Sequence, residues 1–135
     1  MVDALLDLLL HDGIERLIDV RCNPIARRYG FHKSKLTRLC SDVGIEHVHF
    51  ASLGIPSAWR ASLSDQASYE SLFDRYTSEI LPEQGDAIDR VAGLVLEKPS
   101  ALMCMEAAHQ SCHRSRLGLE IARRTGLPVQ ELRRM

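Results

Sequence analysis

A chain of 135 residues, 45% apolar and 26% charged, has the make-up of one ordinary globular domain, long enough to bury most of a core. No run approaches the ~18 apolar residues of a membrane span, and no small-residue cleavage pattern follows the apolar Val2–Leu10 stretch, which Asp3 and Asp7 interrupt. Four cysteines are too few for a disulfide scaffold at this length, so reduced thiols and a cytoplasmic location are expected; the net charge of −1 excludes a uniformly basic or acidic surface.

In chain order, Val2–Leu10 reads as an amphipathic helix that Gly13 can end. Leu17-Ile18-Asp19-Val20-Arg21 is a short strand, apolar enough to lie inside a sheet, and Arg21-Cys22-Asn23-Pro24 closes it because Pro24 cannot continue a ladder. Asp19 within that run and Arg21 at its end are costly in a core unless paired or at the rim. Asp19 could cap backbone amides; a site role for the pair is the favoured reading. The stretch from Arg21 to Ser41 holds six basic residues (Arg21, Arg27, Arg28, Lys33, Lys35, Arg38) and no acidic one. Such a local positive field suggests an anionic ligand, with a solvated basic surface as the ordinary alternative.

Leu36, Leu39, Cys40 and Val43 recur at helical spacing, with Ser34 as the expected cap and Gly44 as the stop. Cys40 then lies on the apolar face and reads as core. Ile45–Phe50 is a second strand, whose His47 and His49 read as satisfied core or surface histidines, although one could face a cleft. Leu53-Gly54-Ile55-Pro56 is a turn, and the Ser-rich stretch to Ser68 is a surface excursion. Tyr69, Leu72, Phe73, Tyr76 and Ile80 form a helical stripe, Pro82 breaks the chain, and Ile88, Val91, Ala92 and Val95 mark another helix. A third strand is expected over Ala101–Met105, a helix from about Cys112 to Thr125 stopped by Gly126, and an edge strand at Val129–Leu132. This alternation predicts a single α/β domain over residues 1–135: a three-layer, Rossmann-like α/β/α sandwich around a mostly parallel sheet of about four strands.

The stretch Ala101–Arg114 carries the densest chemistry. It sets Cys104, Glu106, His109, Cys112, His113 and Arg114 where a parallel strand would hand over to a helix. Open α/β sheets bind ligands outside the carboxyl ends of their strands, and helix N-termini attract anions. A phosphatase-type loop would need an arginine six positions after its cysteine, but Gln110 stands six beyond Cys104. The two thiols of this stretch are eight apart with no close C-x₂-C pair, so zinc is the lesser reading, although Cys104, His109, Cys112 and His113 could converge. The glycine-rich dinucleotide and phosphate-binding fingerprints are absent, and neither metal nor cofactor is expected. Cys112 at a helix start, beside His113 and Arg114, stands where a thiol pKa falls. Glu106 is placed for general acid–base work and Arg114 for a bidentate phosphate contact. Each has an ordinary alternative (a buried thiol, a paired carboxylate, a structural ion pair), but their coincidence at one junction favours a site. The expected catalytic set is Cys112, His113, Glu106 and Cys104; the expected ligand-binding set is Asp19, Arg21, Asn23 and Arg114.

A strand ending in C-x-E and followed by C-H-R, as at Leu102–Arg114, resembles the signature of the domain-of-unknown-function 488 family. Asp19-Val20-Arg21-Cys22-Asn23-Pro24 is similar to that family's D-V-R-x-x-P, and Phe31, Ile45–His49, Leu53-Gly54 and Leu127–Leu132 match its later landmarks. The resemblance spans nearly the whole chain and implies a three-layer α/β fold with an unassigned enzymatic role. Members begin with a strand reading T-I-G-H or T-I-G-Y ahead of the first helix, whereas this chain starts inside that helix. Either an N-terminally truncated domain or another segment filling that place is therefore expected, truncation being the favoured reading, with dimerisation or strand exchange covering the vacated sheet edge.

The function expected from these readings is a small enzyme-like domain that binds a small anionic ligand containing phosphate or a nucleotide. The rival is a non-catalytic nucleic-acid-binding or regulatory module that sets the basic 21–38 segment against phosphates. It ranks second because aromatic residues interleave that segment only at Tyr29 and Phe31. No membrane partner is expected.

Overall fold

The computed structural model describes residues 2–21, 33–56, 59, 66–103 and 114–128. After helix α1 (Val2–His11), the strand β1 (Arg16–Asp19) forms the centre of a parallel sheet. Helix α2 (Lys33–Asp42) leads to β2 (Glu46–His49) on one side of β1. Helices α3 (Gln66–Arg75) and α4 (Gly85–Glu97) lead across to β3 (Ser100–Met103) on its other side, and α5 (Arg114–Thr125) follows. The strand order is β2-β1-β3, with Asp19 opposite both His49 and Met103.

Because successive strand residues face opposite ways, β1 feeds two cores. Ile18, with Val20 just beyond the strand, packs with Phe50, Leu72, Tyr76, Val91, Leu117 and Ile121, which puts α3, α4 and α5 on one face. Leu17 packs with Leu6, Leu9, Leu36, Cys40 and Met103, which puts α1 and α2 on the other. All four β1 residues are buried, as a central parallel strand covered on both faces must be. The fold is the three-layer α/β sandwich expected from the sequence, with three strands among the described residues; the Val129–Leu132 segment expected as a fourth lies outside them.

Local chemistry explains the element ends. Both helices of the second face stop in the same way. Ile14 N–H bonds Leu9 O at 2.9 Å and Ile45 N–H bonds Cys40 O at 2.8 Å, across Gly13 and Gly44 at φ +70° and +80°. These are bonds of the Schellman type, for which a left-handed glycine is the natural residue. Ser34, expected as the cap of α2, instead lies within its first turn, because the helix already begins at Lys33. The stripe from Tyr69 to Ile80 is helical but not uniformly α: after Arg75 it widens into a π-turn over Tyr76–Ile80, with Leu81 N–H reaching Tyr76 O. There the buried Tyr76 hydroxyl donates to Leu53 O at 2.7 Å. Pro82, which lacks an N–H, sits at the start of the 3₁₀ turn Leu81–Gln84, where no donor is needed.

No helix among the described residues is long and apolar enough to cross a membrane.

Candidate functional site

The strand β1 ends sooner than its apolar run suggests, and the reason is a side chain. Val20 N–H still bonds Met103 O at 2.9 Å, but Arg21 N–H turns back onto Asp19 Oδ1 at 3.1 Å. A carboxylate that takes the amide two residues on is the local geometry of an Asx turn. The same carboxylate receives the Arg21 side chain, Nε on Oδ1 at 2.8 Å and Nη2 on Oδ2 at 2.6 Å, in a bidentate fork. Asp19 is fully buried and Arg21 only 5% exposed. Asp19 therefore caps a backbone amide and also fixes a buried guanidinium.

The adjacent strand completes the cluster. His47 in β2 donates Nε2–H to Asp19 Oδ2 at 3.0 Å, and its Nδ1 stands 2.7 Å from the Thr37 hydroxyl on α2. The His47 side chain is 1% exposed. His49, two residues on and opposite Asp19, donates Nε2–H to the Arg21 carbonyl at 2.7 Å. Burial by itself would raise the Asp19 pKa, but hydrogen bonds from Arg21 and His47 outweigh it and bring the carboxyl down from 3.8 to about 2. Asp19 is thus ionised at neutral pH and can only accept hydrogen bonds. Cys40, on the same face, goes the opposite way: burial, and then the nearby Asp19 charge, push its thiol up to about 11. It is a core thiol, as its helical position implies.

The sequence reading named Asp19 and Arg21 and passed over Thr37, His47 and His49 as site residues. The available signal was the His-x-His alternation in β2. In parallel register with β1 it sets both imidazoles on the face that Asp19 shares. Asn23, Cys104, Glu106, Cys112 and His113 lie outside the described residues, and Arg114 opens α5. Among the described residues, no group of three His, Cys, Asp or Glu side chains is arranged to hold a metal ion.

The other end of β1 carries a second buried arginine. Arg16 pairs with Glu46 and Glu97 (Nη2–Oε1 3.2 Å) and donates Nη1–H to Leu94 O at 2.7 Å. Its carboxylate partners are 49% and 64% exposed. This end binds β1 to β2 and to α4.

The domain of unknown function DUF488 matches residues 1–119 of the 135-residue chain. The chain belongs to the DUF488 family. No curated protein and no solved structure matches it. The DUF488 match covers every element described except the last turns of α5, so the Asp19–Arg21 pair and its histidines fall within the family domain.

Proposed function

We propose that this DUF488 domain is a small enzyme-like protein that binds an anionic, phosphate- or nucleotide-containing ligand where β1 and β3 end. The observation that carries the reading is a topological switch point holding a buried ion pair. The chain leaving β1 continues into α2 on one face, and the chain leaving β3 continues into α5 on the other. Neighbouring strands whose connections part in this way open a crevice at their carboxyl ends, the place where open α/β sheets take ligands. Asp19 and Arg21 stand at that end. Buried pairs contribute little to stability compared with apolar packing, and such groups cluster at functional sites. In this reading Arg21, Asn23 and Arg114 contact the anion, Cys112 is the nucleophile with His113 beside it, and Glu106 moves protons. Cys104 completes the catalytic set, in a reducing, cytoplasmic setting.

The test is calorimetric titration of the full chain with inorganic phosphate and with a nucleoside monophosphate, at low and high salt. Saturable binding is expected, weakened ~10-fold or more in Arg21→Lys, which keeps the charge and loses the fork. Binding that Arg21→Lys leaves unchanged would overturn the reading. Affinity for an oligonucleotide alone, falling steeply with salt, would instead mark a nucleic-acid-binding module.

A further inference from the structure

Apart from the anion reading, the side chains around His47 form a chain with a direction. Asp19, fully buried and ionised, only accepts hydrogen bonds, so the proton on the facing His47 nitrogen must lie on Nε2. When the ring is neutral, its lone pair is therefore on Nδ1, and Nδ1 faces Thr37 Oγ1 at 2.7 Å. The Thr37 hydroxyl, carried on α2, reaches this base on the neighbouring strand. The base is 1% exposed and its orienting carboxylate 0%, whereas Thr37 itself is exposed. A hydroxyl within hydrogen-bond reach of a base, with that base oriented by a third group, is the arrangement that activates an oxygen nucleophile. It is recognised by geometry and roles, not by sequence order.

The geometry points to Thr37 as a nucleophilic hydroxyl that accepts an acyl group from an activated ester, with His47 as its general base and Asp19 as the residue that positions His47. In the first step Thr37 Oγ1 forms a bond to the acyl carbon and its proton passes to His47 Nδ1. The ester C–O bond breaks, and the leaving alkoxide takes that proton back from Nδ1. In the second step a water molecule gives its proton to Nδ1 and attacks the acyl carbon. The Thr37 oxygen leaves and recovers its proton, and a carboxylic acid is released. No oxidant, reductant or other co-reactant is required. Arg21 shares the Asp19 carboxylate with His47 at Oδ2, so the imidazolium formed in each step lies beside an ion pair already fixed in place. Thr37 and His47 are not among the residues proposed to contact the anion, and only the Asp19–Arg21 pair enters both readings, so each can fail without the other.

The experiment is reaction of the full chain with p-nitrophenyl acetate, following nitrophenol release and mapping the acetyl group by peptide mass spectrometry. A stoichiometric burst is expected, with the acetyl group on Thr37. Thr37→Ser should retain the burst and Thr37→Val should abolish it. The Thr37→Val change keeps the side-chain shape at an exposed helix position and removes the hydroxyl with its bond to His47, and circular dichroism checks that the fold is kept. His47→Gln should slow the burst ~10²-fold or more, the ordinary contribution of a general base. A burst that survives in folded Thr37→Val, acetylation confined to cysteine or lysine, or no burst from the folded wild type would each overturn the proposal.

Discussion

Replacing Asp19 by asparagine tests the central cluster most severely. The carboxylate accepts four hydrogen bonds, three from Arg21 and one from His47. Its pKa in the fold, about 2, lies below the ordinary 3.8 of an unfolded chain. Ionised Asp19 therefore stabilises the fold fully above that ordinary value, and the contribution is lost as pH falls through about 2. The depression corresponds to about 2–3 kcal/mol near neutral pH. The Asp19→Asn change would also leave the Arg21 guanidinium buried without its counter-charge, a loss of ~3–5 kcal/mol where one partner of a buried pair is removed. These are two views of one interaction, so the expected cost is ~3–5 kcal/mol, a large share of the ~5–15 kcal/mol that holds a domain together. Urea denaturation near neutral pH, repeated along an acid series, reads both quantities. The wild type should lose stability on the acid side, and the variant should start lower and change less. A variant within ~0.5 kcal/mol of wild type near neutral pH, the range of an ordinary surface change, would refute the cluster.

Further outcomes are expected at Tyr76 and at the cysteines. Tyr76→Phe removes the donor to Leu53 O in a buried setting, so urea denaturation should show a loss of ~1–2 kcal/mol. Burial also pushes the Tyr76 phenol above its ordinary range, so it should ionise last in a spectrophotometric titration. Cys40, with its thiol pushed up to about 11, should resist iodoacetamide near neutral pH in the folded protein. Cys112, the proposed nucleophile, should label first and more slowly when phosphate is added; equal rates at the two cysteines would remove it as a nucleophile.

The layers were legible because their signals are local. Apolar runs bounded by glycine and proline gave the strands, and stripes such as Leu36, Leu39 and Cys40 gave the helices. The π-turn at Tyr76–Ile80 was not legible, because a widened turn keeps the same apolar residues inward and is fixed by tertiary bonds such as that of Tyr76 to Leu53. Asp19 and Arg21 stood out because charge in an apolar run demands a partner. Thr37 and His47 did not, since their meaning depends on the distance between α2 and β2, which a sequence separation of ten residues leaves open. The Asx-type bond that ends β1 was foreseen only as an alternative to a site role. The structure joins the two features in one carboxylate, because an aspartate has two oxygens and room for both amide and guanidinium.

The buried arginines at the two ends of the β1 segment, Arg16 and Arg21, allow a structural charge to be told from a proposed ligand contact. Arg16 and Arg21 are equally buried, each 5% exposed, and each bonds to carboxylate. Their partners differ. Arg16 reaches outward to Glu46 and Glu97, half-exposed groups that water can solvate once the arginine is gone, so Arg16→Met should cost only ~1–2 kcal/mol. It lies at the amino end of the sheet and should leave phosphate binding unchanged. Arg21 reaches inward to a carboxylate that water does not touch, at the carboxyl end of the sheet, where the anion is proposed to bind. Arg21→Lys keeps a cation beside Asp19, so most of the stability should survive, while the planar fork that could share itself between Asp19 and an anion is lost. The expected pattern is a crossed one: Arg16→Met lowers the urea midpoint and spares binding, whereas Arg21→Lys largely spares the midpoint and weakens binding. If both variants only lower stability, the Asp19–Arg21 pair is a second clamp like the one at Arg16, and the anion site must be sought elsewhere on the domain.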